Sequence, residues 1–221
     1  MIKALLPLLL LATSAAAAPF AVQLGEARIG LDAPPGFTDT GFTGSPRLQE
    51  LAESLTSASN RILLFALSDD DLRRFGQGDT PTLRRYMIAV TPKGLEHERV
   101  TAEAFRGFVA DSLALLGSAP KDSDYRKYLA TRTEPALLAE LRRDPQTVSI
   151  LQGARIPPPP HGLFEPEKPS RYVLSTTTLL LLNGKALNLG VYTAYDSEAD
   201  LEWIRLNTAR WVEELRRLNS R

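Results

Sequence analysis

One asparagine–glycine dipeptide constrains the fold of this chain more than any other feature. Asn183-Gly184 lies between the two apolar, β-prone runs of the stretch TTTLLLLNGKALNLGVYTAY, at residues 176–195. Both central residues of a two-residue type I′ turn need a positive φ angle, which Asn and Gly adopt most readily. The sequence therefore predicts an antiparallel hairpin that turns at this dipeptide.

The predicted turn also sets the register and the two faces of the hairpin. The pairs that share one face are Leu182 with Lys185, Leu180 with Leu187, Thr178 with Leu189 and Thr176 with Val191. The other face is mixed and carries Leu179, Leu181, Ala186, Asn188, Gly190 and Tyr192. We expect the first face to be core. The second face is interpreted as core under a helix or loop, with a ligand-lining wall as the alternative. Because the leucines alternate between faces, the run is not a membrane span.

Hydrophobic periodicity predicts the other elements. Further strands are expected at residues 20–24, 27–31, 61–67, 86–90 and 147–151, and again from Tyr172. Helices are expected after Ser45-Pro46, from Ser68 to Gly76, from Thr101 to Gly117, over Tyr125–Thr131 and over Pro135–Arg143. A glycine-rich loop is expected from Pro34 to Gly44. This pattern indicates an α+β fold, an antiparallel sheet of about six or seven strands with helices packed on it.

The last helix has the clearest signals of all the predicted helices. Ser197 and Asp200 have the spacing of a capping box, which marks a helix start. The residues that form its predicted buried stripe are Leu201, Ile204, Thr208, Trp211, Val212 and Leu215. This helix is expected to cover one face of the sheet.

The N-terminus has the pattern of a secretory signal peptide. Lys3 precedes an apolar run from Ala4 to Ala12, and small residues follow, so we expect cleavage before Ala18. The run is too short for a membrane-spanning helix, which needs about 20 residues. The domain prediction is a signal peptide at 1–17 and a single α+β domain at 18–221, in the periplasm of a bacterium or secreted. The alternative is an uncleaved N-terminal anchor.

Composition excludes several classes of function. The chain has no cysteine, which excludes disulfides, thiolate metal sites and cysteine nucleophiles. Loss of Lys3 with the leader brings the formal net charge from 0 to about −1. Nucleic-acid binding normally shows as a basic surplus, so no nucleic-acid partner is expected.

No catalytic, cofactor or metal motif emerges from the sequence, and no cofactor is predicted. Phosphate loops, HExxH and GxSxG are all absent. In Glu96-His97-Glu98 the acids and the histidine point to opposite sides of an extended segment. Asp69, Asp70 and Asp71 begin a helix, where acids favour the helix dipole.

The candidate binding residues are Phe37, Phe42 and His161. The two phenylalanines lie in the glycine-rich loop and would form an exposed apolar patch for a partner. His161 follows four prolines and suits proton transfer, which gives the alternative of a small hydrolase around its loop. The arginine pairs Arg73-Arg74, Arg84-Arg85, Arg142-Arg143 and Arg216-Arg217 would form one anion-binding patch if the fold gathers them.

The order of strands, the Pro-Pro-Gly-Phe loop at 34–37, the late hairpin and the closing Trp-bearing helix resemble the PsbP-like α+β fold. The chain is also similar to exported bacterial proteins of that architecture. The resemblance implies a non-catalytic binding or accessory protein and transfers no functional residue. The expected role is that of an exported periplasmic protein whose partner is another periplasmic protein or a cell-envelope component.

Overall fold

The structure is a computed structural model that describes residues 19–114, 116–121, 124–158 and 170–220. The strands are Phe20–Leu24 (β1), Ala27–Leu31 (β2), Phe37–Asp39 (β3), Asn60–Ser68 (β4), Arg85–Pro92 (β5), Ala136–Asp144 (β6), Thr147–Ile156 (β7), Arg171–Leu182 (β8) and Lys185–Ala194 (β9). The α-helices are Pro46–Ser54 (α1), Asp69–Gly76 (α2), Ala102–Ala114 (α3), Tyr125–Ala130 (α4) and Glu198–Leu218 (α5). Short 3₁₀ helices lie at Thr40–Thr43 and Lys93–Leu95.

The central feature is a seven-stranded sheet in the order β3-β4-β5-β9-β8-β7-β6. Every pairing in it is antiparallel. Strands β1 and β2 form a separate two-stranded hairpin. The α+β class with an antiparallel sheet and helices packed on it is confirmed.

The hairpin of β8 and β9 has the predicted register. Leu182 pairs with Lys185, and the ladder continues to Val173 opposite Ala194. The φ angles of Asn183 and Gly184 are 50° and 76°, as a type I′ turn requires. The turn dipeptide thus fixes the centre of the sheet.

Two layers cover the two faces of the sheet. Helix α5 and the β1–β2 hairpin cover one face and enclose the main apolar core, which includes Leu24, Leu174, Leu189 and Trp211. Helices α1 and α2 cover the other face over β4 and β5. Helix α3 covers that same face over β7 and β8 through Phe105 and Val109. The second face of the hairpin is therefore core, as expected.

Helix α5 is built into the core along its length. All six residues of its predicted stripe are buried, and the Ser197–Asp200 capping box is present. The Trp211 indole N–H donates to the main-chain oxygen of Asp32 at 2.9 Å. The Asn219 side chain exchanges two hydrogen bonds of 2.9 Å with the main chain of Gly30. The C-terminal half of the helix is thereby tied to β2 and to the residue that follows it.

Two sequence predictions are wrong at the level of secondary structure. Residues Pro135–Arg143 were expected to be a helix, but β6 occupies this segment and pairs with β7. Two register shifts interrupt that ladder, so the segment lacks the regular alternation of a strand. The loop expected at Pro34–Gly44 contains β3 and a 3₁₀ helix instead. The strand expected at 147–151 extends to Ile156.

Within the described residues, no helix combines the length and apolarity needed to cross a membrane. The leader at residues 1–17 lies outside the described residues. The signal peptide, the domain boundaries and the cellular location stay predictions.

Candidate functional site

Of the three predicted binding residues, Phe37 and Phe42 do not form one exposed patch. The Phe37 side chain is buried, and its ring centroid is 5.9 Å from that of Trp203. Phe42 is 67% exposed and meets the ring of Phe20 edge-on at 5.4 Å. His161 lies outside the described residues. Phe37 contributes almost nothing to the surface, so an aromatic patch would have to centre on Phe42. Binding by these residues stays a prediction.

A different site lies at the edge of the sheet, along the part of β4 that β3 does not cover. Strand β3 has three residues and pairs only with Ala66–Ser68 of β4. The other side of β4 pairs with β5 over most of its length. Among the described residues, residues 60–65 of β4 therefore have no strand neighbour on the side away from β5.

The main-chain groups of Ile62 point toward this open side. Lys93 donates its main-chain N–H to the oxygen of Ser59 at 2.9 Å. Hydrogen-bonded pairs alternate in an antiparallel ladder, so Arg61 faces Thr91 in the same way, while Ile62 faces outward. An edge strand with outward N–H and C=O groups is a template for pairing with another chain.

The neighbouring donors on the open side already have partners. Asn60 donates its N–H to the oxygen of Ser57 at 2.9 Å. Phe65 donates its N–H to the Asp39 carboxylate at 3.1 Å. Ile62 lies between these two capped positions, and its N–H and C=O have no strand partner among the described residues.

The open edge forms the floor of a groove of about 720 Å³. We call it the β4 groove. Its floor is the β4 main chain from Asn60 to Phe65, and its walls are the 3₁₀ turn with α1 and the loop after it, including Thr40, Gly41, Gln49, Glu53, Thr56 and Lys93. Helix α1 is held beside the edge because Leu48 and Ala52 pack with Phe65 and Leu67. The groove is thus a consequence of how α1 seats on the sheet.

The polar groups of the walls are satisfied within the protein. The Asp39 pKa is raised by burial, although the N–H groups of Gly41 and Phe65 oppose this. Arg61 forms an ion pair with Glu96. The Lys93 ammonium donates to the oxygen of Ala58 at 2.8 Å. The groups at the floor that lack a strand partner are main-chain N–H and C=O groups of β4, not side chains.

The opposite edge of the sheet is built differently. Strand β6 is bulged at two places and carries charged residues. Arg143 pairs with Glu140, and Arg142 pairs with Asp144 at 2.8 Å. Bulges and charges are devices by which proteins protect sheet edges from further pairing. The β4 edge instead lies at the bottom of a walled groove.

A larger groove of about 1130 Å³ lies between residues 32–38 and α5. The pKa of Asp32 in it is raised by burial and further by the Glu214 charge. Two further acids of this groove already have partners. Glu214 forms an ion pair with Arg217, and Asp69 accepts a hydrogen bond from the Thr38 hydroxyl at 2.8 Å. In the described part of the chain, this groove borders the unpaired side of β3, whose three residues are half the length of the open stretch of β4.

The paired arginines do not present a surface of unpaired positive charge. Arg84 pairs with Asp196 at 2.6 Å, and Arg142 and Arg216 share Asp144. Across the ranges that the structure describes, no group of three or more His, Asp or Glu side chains is placed to hold a metal ion.

No protein-family model matches the sequence, and no curated protein matches it. Among solved structures, the chain is similar to the Ran-binding protein Mog1p of Saccharomyces cerevisiae, with 14% identity over 92% of this chain and 93% of that one, at a TM-score of 0.38. A mutant of Mog1 matches with 14% identity, covering 92% and 94% of the two chains, at a TM-score of 0.37. This weak likeness carries no argument about function.

The predicted resemblance to the PsbP-like fold is wrong, because the solved structures that match are Mog1 proteins. The predicted role as an exported periplasmic accessory protein, with a hydrolase at His161 as the alternative, is wrong as well. The matching structures are of a Ran-binding protein; they support neither export nor hydrolysis, and only non-catalytic binding is compatible with them.

The sequence did not reveal the β4 groove. The run RILLFAL at 61–67 correctly predicted a buried strand. An apolar run reports burial of the two faces of a strand, and it does not report which of its two edges has a neighbour. No sequence signal marks the open edge, because the three residues of β3 are too short a pattern to recognise.

Proposed function

We propose that this chain is a protein-binding module that takes up an extended segment of a partner protein as an added strand beside β4. One observation carries the proposal: Ile62 has outward main-chain groups at the floor of the β4 groove, between two donors that are already capped. Strand addition at an exposed edge is an established mode of peptide recognition.

The geometry sets the length and the contacts of the added segment. The floor has six residues from Asn60 to Phe65 and spans roughly 20 Å at about 3.4 Å per residue. An antiparallel segment would exchange two hydrogen bonds with Ile62, each of which contributes about 0.5–1.5 kcal/mol net. Burial of apolar side chains against the groove walls would supply the rest of the binding free energy.

The walls determine which side chains the segment carries. Successive side chains of a strand point to opposite sides, so alternate residues would face α1. On that wall Gln49 donates to Glu53 at 2.9 Å, and Ala52 lies behind them. A small or cationic side chain fits beside Glu53. Because the main chain supplies the hydrogen bonds, a range of sequences is expected to bind.

The test uses heptapeptides selected by phage display on the full chain. Ile62→Pro removes the outward N–H without removing a bond to β5, whereas Ile62→Thr keeps that N–H and a β-branched side chain. We expect Ile62→Pro to weaken the selected peptides by about 10-fold or more, equal to 1.4 kcal/mol. Ile62→Thr should bind close to wild type, and circular dichroism checks that both variants are folded.

Amide hydrogen exchange gives a second readout. In the free protein the Ile62 amide should exchange faster than that of Met87, which lies on the inner strand β5. A bound peptide should slow exchange at Ile62. Equal binding by Ile62→Pro and wild type, or unchanged exchange at Ile62, would refute strand addition. Sedimentation of the free chain distinguishes pairing between two copies from binding of a different partner.

A further inference from the structure

A second, separate site is built around a buried lysine. Lys185 follows the hairpin turn as the first residue of β9 and is only 4% exposed. Its ammonium group donates to the main-chain oxygens of Glu96 at 3.0 Å and Glu98 at 2.6 Å. An ammonium group has three N–H donors, so two carbonyl oxygens leave one donor over.

The buried ammonium has no carboxylate partner. Among the described residues, no acid lies within ion-pair distance of Lys185, and the nearby Glu96 carboxylate is paired with Arg61. Carbonyl oxygens offer only partial charges. A buried charge is stabilised well only when an opposite charge compensates it. The site therefore lacks a negative charge that would neutralise the Lys185 ammonium group.

Lys185 opens into a cleft of about 690 Å³. Three segments meet there: the β1–β2 turn at Gly25-Glu26, the chain at 96–99 and the β8–β9 turn at Asn183. Gly25 has a φ angle of 53°, and a Cβ atom there would lie 3.1 Å from the Lys185 nitrogen. A side chain at Gly25 would thus close the approach to the ammonium group.

A second cation lies on the wall of the same cleft. Arg99 is exposed, and no acid pairs with it among the described residues. Its position is fixed because Val100 donates its N–H to the oxygen of Gly184 at 2.8 Å, and the Arg99 side chain lies against Gly184. The opposing charge in the cleft is Glu26, which is exposed. Glu98 does not line the cleft and Glu96 is neutralised by Arg61, so the residues that line the cleft carry a net positive charge.

We infer that this cleft binds an oxyanion, the phosphate or carboxylate group of a small molecule. The remaining N–H of Lys185 donates to the anion from the floor, and the Arg99 guanidinium donates from the wall. Charge-assisted hydrogen bonds of this kind are stronger than neutral ones, and the guanidinium group suits both phosphate and carboxylate geometry. The inference does not rest on the β4 groove, although Arg61 of that groove forms the ion pair with Glu96 of this cleft.

The test titrates the full chain with inorganic phosphate and, separately, with acetate, at constant ionic strength. Backbone amide shifts in the NMR spectrum are followed. Saturable shifts confined to Gly25, residues 96–99 and Asn183 are expected with at least one of the two anions. Tighter phosphate binding assigns a phosphoryl group, and equal or tighter acetate binding assigns a carboxylate. No saturable shift with either anion would overturn the inference.

Three variants separate binding from a structural role of Lys185. Arg99→Gln should weaken anion binding by about 10-fold, because it removes a charge-assisted hydrogen bond. Arg106→Gln, an exposed arginine of α3, is the matched control and should leave affinity unchanged. Glu26→Gln removes the opposing charge and should tighten binding.

Lys185→Met should abolish binding if that variant folds. If it does not fold, Arg99→Gln and Glu26→Gln still decide. If the affinity for the anion is unaltered in both of these variants, Lys185 only holds the chain at 96–98 in place and the inference is wrong.

Discussion

The carboxylate of Asp39 accepts the main-chain N–H of Phe65 at 3.1 Å, in the place where β3 would have supplied a carbonyl oxygen. Asp69 donates its N–H to the main-chain oxygen of Gly36 at 3.1 Å. Hydrogen-bonded positions alternate in an antiparallel ladder, so the next ones on this side are Thr38 and, if the strand continued, Thr40. The chain instead turns into a 3₁₀ helix at Thr40, and the Asp39 carboxylate accepts the Phe65 N–H in place of the Thr40 main-chain oxygen. One carboxylate therefore both ends β3 and closes one end of the β4 groove.

We expect Asp39→Asn to stabilise the protein at neutral pH. Burial raises the pKa of Asp39, so the folded state holds its proton more tightly than the unfolded state. The stability from this group is fully present below the unfolded pKa of about 3.9 and is lost as pH rises through the folded pKa. Asparagine keeps the acceptor oxygen and removes the charge. Urea unfolding at pH 7 should show the gain, and unfolding near pH 3 should show it greatly reduced.

Asp39→Ala is the control for the hydrogen bond itself. It leaves the buried Phe65 N–H without its acceptor, and we expect a loss of about 1–3 kcal/mol at both pH values. An Asn variant that destabilises the protein equally at pH 7 and pH 3 would contradict this account of the charge.

Asp200 should show the opposite pH dependence. Burial alone would raise its pKa, but hydrogen bonds from Arg85 and from the N–H groups of Asp196 and Ser197 bring the pKa below its usual value. A lowered folded pKa gives stability that is present above the unfolded pKa and lost as pH falls through the folded pKa. We expect Asp200→Asn to lower the free energy of unfolding by about 1–3 kcal/mol at pH 7. Near pH 2 the variant should unfold close to wild type. An equal loss at both pH values would show that packing dominates.

Two glycine substitutions should have effects of opposite sign. A Cβ atom at Gly190 would lie 2.7 Å from the ring of Tyr192, which stacks on Tyr86 with centroids 4.4 Å apart. Gly190→Ala must displace that ring, and we expect it to destabilise by about 1–3 kcal/mol. At Gly107, within α3, a Cβ atom would meet nothing within 4 Å. Gly107→Ala should stabilise by roughly 0.5–1 kcal/mol. Chemical denaturation of both variants tests the pair, and a stabilising Gly190→Ala would disprove the clash.

The sequence predicted those parts of the fold that depend on local signals. The turn at Asn183-Gly184 fixed four pairs of the hairpin, and the stripe of α5 was correct at all six positions. The segment 135–143 failed because ALLAELRR has high helix propensity, and only pairing with β7 makes it a strand. Its two bulges removed the alternation that would have indicated β structure.

The candidate sites depend on relationships that the sequence does not carry. Lys185 was correctly paired with Leu182 in the predicted register. That its ammonium group meets Glu96 and Glu98 depends on how the chain at 96–98 packs against the hairpin. The open edge of β4 depends likewise on the strand order, since a longer β3 would have covered it. Phe37 was misplaced because a three-residue strand gives too short a pattern to recognise.

The leader at 1–17 gives a prediction independent of the fold. If it is a cleaved signal peptide, mass spectrometry of the protein from its native cell should find Ala18 at the N-terminus. The motive is the order of Lys3, the apolar run and the small residues. An intact Met1 in the membrane fraction would contradict cleavage and favour the anchor.

Trp211 tests whether α5 is an integral layer of the core. Its side chain is 1% exposed, and its indole N–H is bonded to the oxygen of Asp32. Truncation of a buried tryptophan to alanine typically costs about 3–5 kcal/mol, from lost burial and the cavity left behind. A domain of this size has only about 5–15 kcal/mol in total. Trp211→Ala should therefore lower the melting temperature strongly.

Glu214, which pairs with Arg217 near the surface, is the control on the same helix, and Glu214→Ala should hardly change the melting temperature. Trp203 is half-buried between Arg85 and Phe37 and should give an intermediate loss. If Trp211→Ala melts like wild type, α5 is not packed into the core, because no other single residue of the helix fills so much of that layer.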